Sequence, residues 1–138
     1  MSNTHYPLSS PQVDIWFDQS LHPDVPLYNI GGYVRIAGPI DPVRFEQALN
    51  QVIADNDALR ILLHEGKGLP TQTFAEHAPV TLEVRDFSAR EDAHAAALAW
   101  MKQAFVTPFQ FYDRFLFHFV LCKISDNWAP CKIACLAV

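Results

Sequence analysis

Apolar residues Phe45, Ala48, Leu49, Val52 and Ile53 recur at positions i, i+3, i+4, i+7 and i+8. That spacing gathers them on one face of an α-helix. Asp41 followed by Pro42 supplies its start, because a carboxylate caps free N–H groups and proline suits the first turn. Two further segments read the same way. Ser10 stands as an N-cap with Pro11 behind it, and Val13, Trp16, Phe17 and Leu21 then share a face. Ser88 and Glu91 have the spacing of a capping box, ahead of an apolar side formed by Ala93, Ala97, Trp100, Met101 and Ala104. Pro108 ends that helix.

Between the helices the period changes to two. Ile30, Gly32, Val34 and Ile36 alternate with Tyr33 and Arg35, and Val80, Leu82 and Val84 alternate with Thr81, Glu83 and Arg85. Such alternation marks strands with one buried face. Residues 61–63 and 72–74 form a hairpin around Gly66, Gly68 and Pro70. Residues 115–124 are nearly continuously apolar and read as a strand buried on both faces. The fold class is therefore α/β (α+β), a mixed sheet covered by about three helices.

Composition narrows the partners. The 138 residues are enough for one domain, half of them are hydrophobic and 18% are charged, as in an ordinary globular chain. The net charge of -5 comes with no basic run, which disfavours nucleic acid and anionic membrane. No apolar run is long enough to span a bilayer, and the polar start lacks the features of a signal peptide. From these features a cytoplasmic protein is expected.

The candidate chemistry is sparse. The histidines are His5, His22, His64, His77, His94 and His118, and no two share metal-ligand spacing on a helix face. His64-Glu65 lacks the second histidine of a zinc protease helix. His118, between Phe117 and Phe119, reads as a packed strand histidine with one satisfied nitrogen. Cys131 and Cys135 fall on one strand face, but with Cys122 they give too few ligands for zinc. Gly31, Gly32 and Gly38 form no phosphate loop; the paired glycines suggest a bulge or a close backbone approach. Asp55 and Asp57 begin like a calcium loop, but Arg60 stands where glycine is required and Gly66 where glutamate is required. Trp16 and Trp100 read as core.

One resemblance adds to this reading. Residues 7–16, Pro-Leu-Ser-Ser-Pro-Gln-Val-Asp-Ile-Trp, resemble the first signature of condensation domains of nonribosomal peptide synthetases, Ser-x-Ala-Gln-x-Arg-Leu-Trp. Ser9, Gln12 and Trp16 match; Pro11 and Asp14 depart. The second signature, Arg-His-Glu-x-Leu-Arg-x-x-Phe, lies over residues 55–63, where Ala58, Leu59 and Arg60 fit and Asp55 and Asn56 depart. Between the two, Tyr28-Asn29-Ile30 and Gly38-Pro39-Ile40-Asp41 resemble the family's strand and helix start. Pro108-Phe109 and Phe115-Leu116 resemble later family steps. The likeness covers nearly all of this chain but only the first of the family's two lobes.

The resemblance implies one lobe of a chloramphenicol acetyltransferase-like fold, with a channel between two lobes in the intact domain. It implies no bound cofactor. Acyl or peptidyl groups arrive as thioesters on the phosphopantetheine arms of carrier proteins, and an acceptor amine attacks to form an amide. The partners implied are those carrier proteins and a second lobe. Because Met1 sits just before the first signature, the parent protein is expected to begin with this domain and to take its donor carrier from a separate polypeptide. A coenzyme A-dependent acyltransferase is the weaker relative.

The family's third signature, His-His-x-x-x-Asp-Gly, supplies the catalytic histidine and an aspartate paired with an arginine, placed here at Arg60. This sequence has Ala134 and Cys135 where the histidines are expected, and it ends where Asp-Gly would begin. A thiol with an ordinary pKa of about 8.5 is mostly protonated at neutral pH and substitutes poorly for imidazole. No catalytic residue is therefore assigned, the chain alone is expected to be inactive, and Arg60 is expected to lack its partner. A reading-frame shift after about Asn127, leaving residues 128–138 out of frame, is one explanation; divergence of those residues is the other.

Overall fold

The computed structural model describes residues 4–76, 79–126 and 131–137, the last run by its backbone alone. His77 and residues 127–130 of the tail lie outside the described residues, as do the side chains of Cys131 and Cys135.

In chain order the elements are β1 (Tyr6–Pro7), α1 (Ser10–Leu21), β2 (Ile30–Ile36), α2 (Pro42–Asp55) and a 3-10 turn (Asp57–Arg60). The hairpin strands β3 (Ile61–His64) and β4 (Thr71–Phe74) follow, then β5 (Glu83–Asp86), α3 (Ala93–Phe105), β6 (Phe117–Lys123) and β7 (Cys131–Ala137). The strands divide into two sheets. A four-stranded mixed sheet has the order β2-β7-β6-β5, with β5 parallel to β6 and the other pairs antiparallel. The hairpin stays apart, in a three-stranded sheet of order β1-β4-β3. Its free edges are used locally: β1 pairs with β4, and Leu63 bridges to Tyr112.

The core sits on both faces of β6, whose side chains alternate between them. Leu121 packs with Leu49 and Ile53 of α2 and with Leu82. Val120 and Cys122 pack with Ala97 and Met101 of α3. The expected two-sided burial of this strand is thus present, with one helix against each face.

Several boundaries differ from the sequence expectation, each for a local reason. The N-cap of α1 is Ser9 rather than Ser10: its backbone is extended, and its N–H donates to Gln12 Oε1 at 2.8 Å. Phe17 and Leu21 are exposed, not part of a buried face; Gln19 is buried instead. Its amide donates to the carbonyls of His22 and Val25 and accepts from the N–H of Leu27, closing the turn after α1. The N-cap of α2 is Asp41 as expected, accepting from the N–H groups of Val43 and Arg44. The N-cap of α3 is Asp92, not Ser88. The Ser88 hydroxyl and N–H are both committed to Asp86 Oδ1, which makes a turn before the helix.

The strand expected from Val80 begins only at Glu83. Side chains of α2 take up the preceding backbone: Asn50 bonds both the carbonyl and the N–H of Val80, and Glu46 accepts from the N–H of Leu82. Gly31 and Gly32 mark no bulge, because β2 pairs with β7 in unbroken register from Ile30 to Ile36. A Cβ on Gly32 would meet nothing within 4 Å. Gly38 is the position where glycine is needed, with φ at +115° in the turn between β2 and α2.

Candidate functional site

The first two sequence signatures, about forty residues apart, meet in space around one apolar cavity of about 290 Å³. Leu8, Gln12, Ile15 and Trp16 enter from α1 and the residues before it. Ala58, Leu59, Ile61 and Leu63 enter from the 3-10 turn and β3. Phe111, Leu116 and Phe117 close the remaining side. The capped start of α1 fixes one wall, and the hairpin fixes the other. A direct bond joins them: Gln12 Nε2 donates to Gln72 Oε1 at 2.8 Å, linking α1 to β4.

Behind the cavity a polar cluster ties the residue 111–113 segment to the hairpin. Trp16 Nε1 donates to the Tyr112 hydroxyl at 2.9 Å, and the N–H of Asp113 donates to the Leu63 carbonyl at 2.8 Å. Asp113 adopts φ of 56°, a left-handed conformation that aspartate tolerates better than most residues. Its carboxylate bonds His64 Nδ1 at 2.6 Å, and His64 Nε2 bonds the Thr73 hydroxyl at 2.8 Å. The His5 ring lies 5.0 Å from that of His64. The Thr-His-Asp connectivity is that of a nucleophilic triad, but Thr73 is 2% exposed, so no substrate reaches its hydroxyl. The cluster is a clamp.

Arg60 is not without partners. Its guanidinium pairs with Asp57 and donates to the Ala75 carbonyl at 2.5 Å. Its Nε, however, is buried with no hydrogen-bond partner. A buried, unsatisfied guanidinium nitrogen is costly, and here it belongs to the residue for which the resemblance implies a missing aspartate.

A second constellation lies on the α3 side of the larger sheet. His118 Nε2 is 2.6 Å from Glu83 Oε2, and Arg85 Nε donates to Glu83 Oε1 at 2.5 Å. The Arg85 guanidinium lies 4.4 Å from the Trp100 ring centre, and that ring meets His118 edge-on. Partial burial pushes the Glu83 carboxyl up, but the bonds to His118 and Arg85 outweigh this and hold it below its ordinary value. Bonds from Ser88 likewise hold the Asp86 carboxyl down. The Tyr28 phenol donates to Asp18 at 2.6 Å and is raised by it. Trp100 thus packs between a cation and a histidine, at the border of two surface grooves.

Of the residues picked out in the sequence, Gln12, Trp16 and Leu59 line the cavity, Ser9 caps the helix carrying two of them, and Arg60 sits at its edge through the 3-10 turn. Backbone register places Ala134 between Tyr33 and Val120, and Cys135 between Gly32 and Phe119. Among the described residues no three His, Cys, Asp or Glu groups converge on a metal-sized site. No helix there is long and apolar enough to cross a membrane. Sequence reasoning missed Gln72, Tyr112 and Asp113, whose partners are 49 to 96 positions away and leave no local pattern.

Known proteins resemble this chain in sequence and fold. The family model for the condensation domain matches residues 2–135. The isonitrile lipopeptide synthase of Streptomyces coeruleorubidus is 38% identical over 122 residues, 88% of this chain and 8% of that protein. Surfactin synthase subunit 1 of Bacillus subtilis (strain 168) is 32% identical over 92% of this chain and 4% of its own length. A double mutant of the starter condensation domain of rhizomide synthetase RzmA, solved in a product-released conformation, superposes with a TM-score of 0.88 at 36% identity. It is covered for 30% of its length by 97% of this chain. The first condensation domain of the CDA synthetase, 22% identical with a TM-score of 0.84, shares the fold. The chain spans a small fraction of these synthetases and about a third of the solved condensation-domain chains. With its two signatures joined around one cavity and the family model matched almost end to end, the chain belongs to the condensation-domain family of nonribosomal peptide synthetases, as a fragment of such a domain.

Proposed function

We propose that this chain supplies the first lobe of a condensation centre that joins carrier-protein-bound acyl or aminoacyl thioesters through an amide bond, and that it does not catalyse alone. The observation that carries the reading is the meeting of Gln12, Trp16 and Leu59 around one cavity, within a chain matched by the family model over residues 2–135. Cytoplasmic synthesis on phosphopantetheine arms follows from the family, and no bound cofactor is needed. Inactivity follows from Ala134 and Cys135 at the positions where the resemblance expects the two histidines, which leaves no imidazole there to handle the amine proton or steady the tetrahedral intermediate. Arg60, with its unsatisfied Nε, is the residue positioned to receive the aspartate of the third signature.

The test mixes the purified chain with two loaded carrier proteins. No amide product is expected, and product formation overturns the claim of inactivity. Resequencing the coding DNA from about codon 120 in all three frames separates the two origins of the tail. A frame restoring His-His-x-x-x-Asp-Gly marks residues 128–138 as out of frame; no such frame marks them as divergent.

A second reading has its own observation. Ile30, Tyr33 and Val34 of β2, with Phe17 and Leu21 of α1, are exposed apolar residues, the kind of surface that marks an interaction site. On that reading the chain is a non-catalytic module that docks a carrier protein or a complementing second lobe. Titration with each should give saturable binding; none with either removes the reading. A coenzyme A-dependent acyltransferase ranks below both. A variant of the RzmA starter condensation domain was solved in complex with C8-CoA.

A further inference from the structure

Helix α1 turns Gln12, Trp16 and Gln19 inward and leaves its opposite face to solvent. A surface helix ordinarily carries polar groups there. This one carries Phe17 and Leu21, one turn apart and 57% and 59% exposed, and Val25 is exposed just beyond the helix end.

Beside this apolar track runs an anionic one. Asp14 precedes Phe17 by three positions and Asp18 precedes Leu21 by three, so each carboxylate neighbours an exposed apolar side chain on the helix surface. Asp24 follows in the exposed turn. No Lys or Arg occurs before Arg35. Among the described residues Asp14, Asp18 and Asp24 form no ion pair, whereas Asp41, Asp57, Glu83 and Asp86 each have a Lys or Arg partner. Two like charges one turn apart destabilise a helix, and a cation brought by a partner relieves them. The last turn of α1 holds no basic residue, so the partial negative charge of its carbonyl end adds to the same field. Tyr28 registers that field. Its bond to Asp18 raises the phenol above its ordinary value, and lost hydration and the charges of Asp18 and Asp14 raise it further.

The sign of the field selects the partner. Anionic membrane and nucleic acid are repelled, and Lys or Arg side chains are attracted. The apolar track has the spacing of a helix ridge, which another helix covers by laying its own apolar face alongside. We infer that the outer face of α1 docks a basic amphipathic helix of a partner protein, its apolar ridge on Phe17 and Leu21 and its cations on Asp14 and Asp18. The inference goes beyond the condensation reading and uses none of the cavity residues.

The experiment titrates the full chain calorimetrically with three synthetic peptides. One is a helix with leucine along one face and lysine along the other; the second has glutamate in place of lysine; the third scrambles the first so that the periodicity is lost. Saturable binding is expected for the first alone, weakening as sodium chloride is raised. Phe17→Ser should weaken it at least about tenfold, with the unfolding midpoint unchanged. Leu21→Ser repeats the test should the first variant fail to fold. Asp14→Asn should weaken binding about two- to fivefold. Glu91→Gln makes the same change in net charge at an exposed position before α3 and should change nothing.

Absence of binding overturns the inference. So does equal binding of the scrambled or glutamate peptide, affinity indifferent to salt, binding that survives both Phe17→Ser and Leu21→Ser, or a loss in Glu91→Gln equal to that in Asp14→Asn. Carrier-protein docking, measured in parallel, keeps the claims apart. Helix binding without carrier docking supports this inference while the condensation reading fails, and carrier docking without helix binding ends this inference alone.

Discussion

Strands β2 and β6 both carry apolar side chains, alternating in one and nearly continuous in the other, and meet opposite fates. Val120, Leu121 and Cys122 of β6 are at most 1% exposed, whereas Ile30 and Val34 of β2 are 74% and 63% exposed. The difference is position in the sheet. β6 has a neighbour on each side and a helix against each face; β2 is the edge beyond β7, where Ile36 packs against the α2 cluster but Ile30 and Val34 stay exposed. A hydrophobic pattern therefore predicts that a strand wants cover, not that this chain provides it. An apolar strand left uncovered at a sheet edge is the kind of surface that pairs with other chain segments.

The sharpest way to break this comparison is in β6. Leu121→Ala removes a fully buried side chain from the α2 cluster and should cost about 2–5 kcal/mol, read from the urea unfolding midpoint. Next comes Gln19→Leu. It strips three backbone groups of their partner next to the exposed Phe17 and Leu21, for a loss of about 1–3 kcal/mol. That would show the turn before β2 to be held by polar bonds rather than by its apolar residues.

A pH dependence follows at β5, the other edge of the same sheet. The Glu83 carboxyl is held below its ordinary value of 4.5, so the folded state releases its proton more readily than the unfolded chain. Its stabilisation is complete above about pH 4.5 and is lost as pH falls through the depressed folded value. Glu83→Gln should flatten the acid side of the stability profile without changing its slope near neutrality. The smallest effect belongs to β2: Val34→Thr should stay within about 0.5 kcal/mol in the isolated chain. A cost like that of Leu121→Ala would mean that β2 is covered in solution by a second copy.

Some of the fold was legible because its signals are local. The face of α2 with its Asp41 cap, the hairpin around Gly66, and the two-sided apolar run of β6 each need only neighbours in sequence to declare themselves. The signatures were legible as well, as Ser9, Gln12, Trp16, Leu59 and Arg60 in order. What failed was decided at a distance. Residues 80–82 have the alternation of a strand, yet Asn50 and Glu46 claim their backbone first. Ser88 and Glu91 have capping-box spacing, yet Asp86 takes the serine.

The sequence by itself determined most element types, the helix cap at Asp41 and the apolar centre, because periodicity and turn chemistry act within a few residues, while its ordered signatures carried the resemblance to the family. Tertiary structure alone decided which apolar faces are covered, that the hairpin forms its own sheet, and that Gln12, Trp16 and Leu59 share a cavity with Phe111 and Leu63. Burial and convergence depend on contacts between residues dozens of positions apart, and no local pattern encodes them.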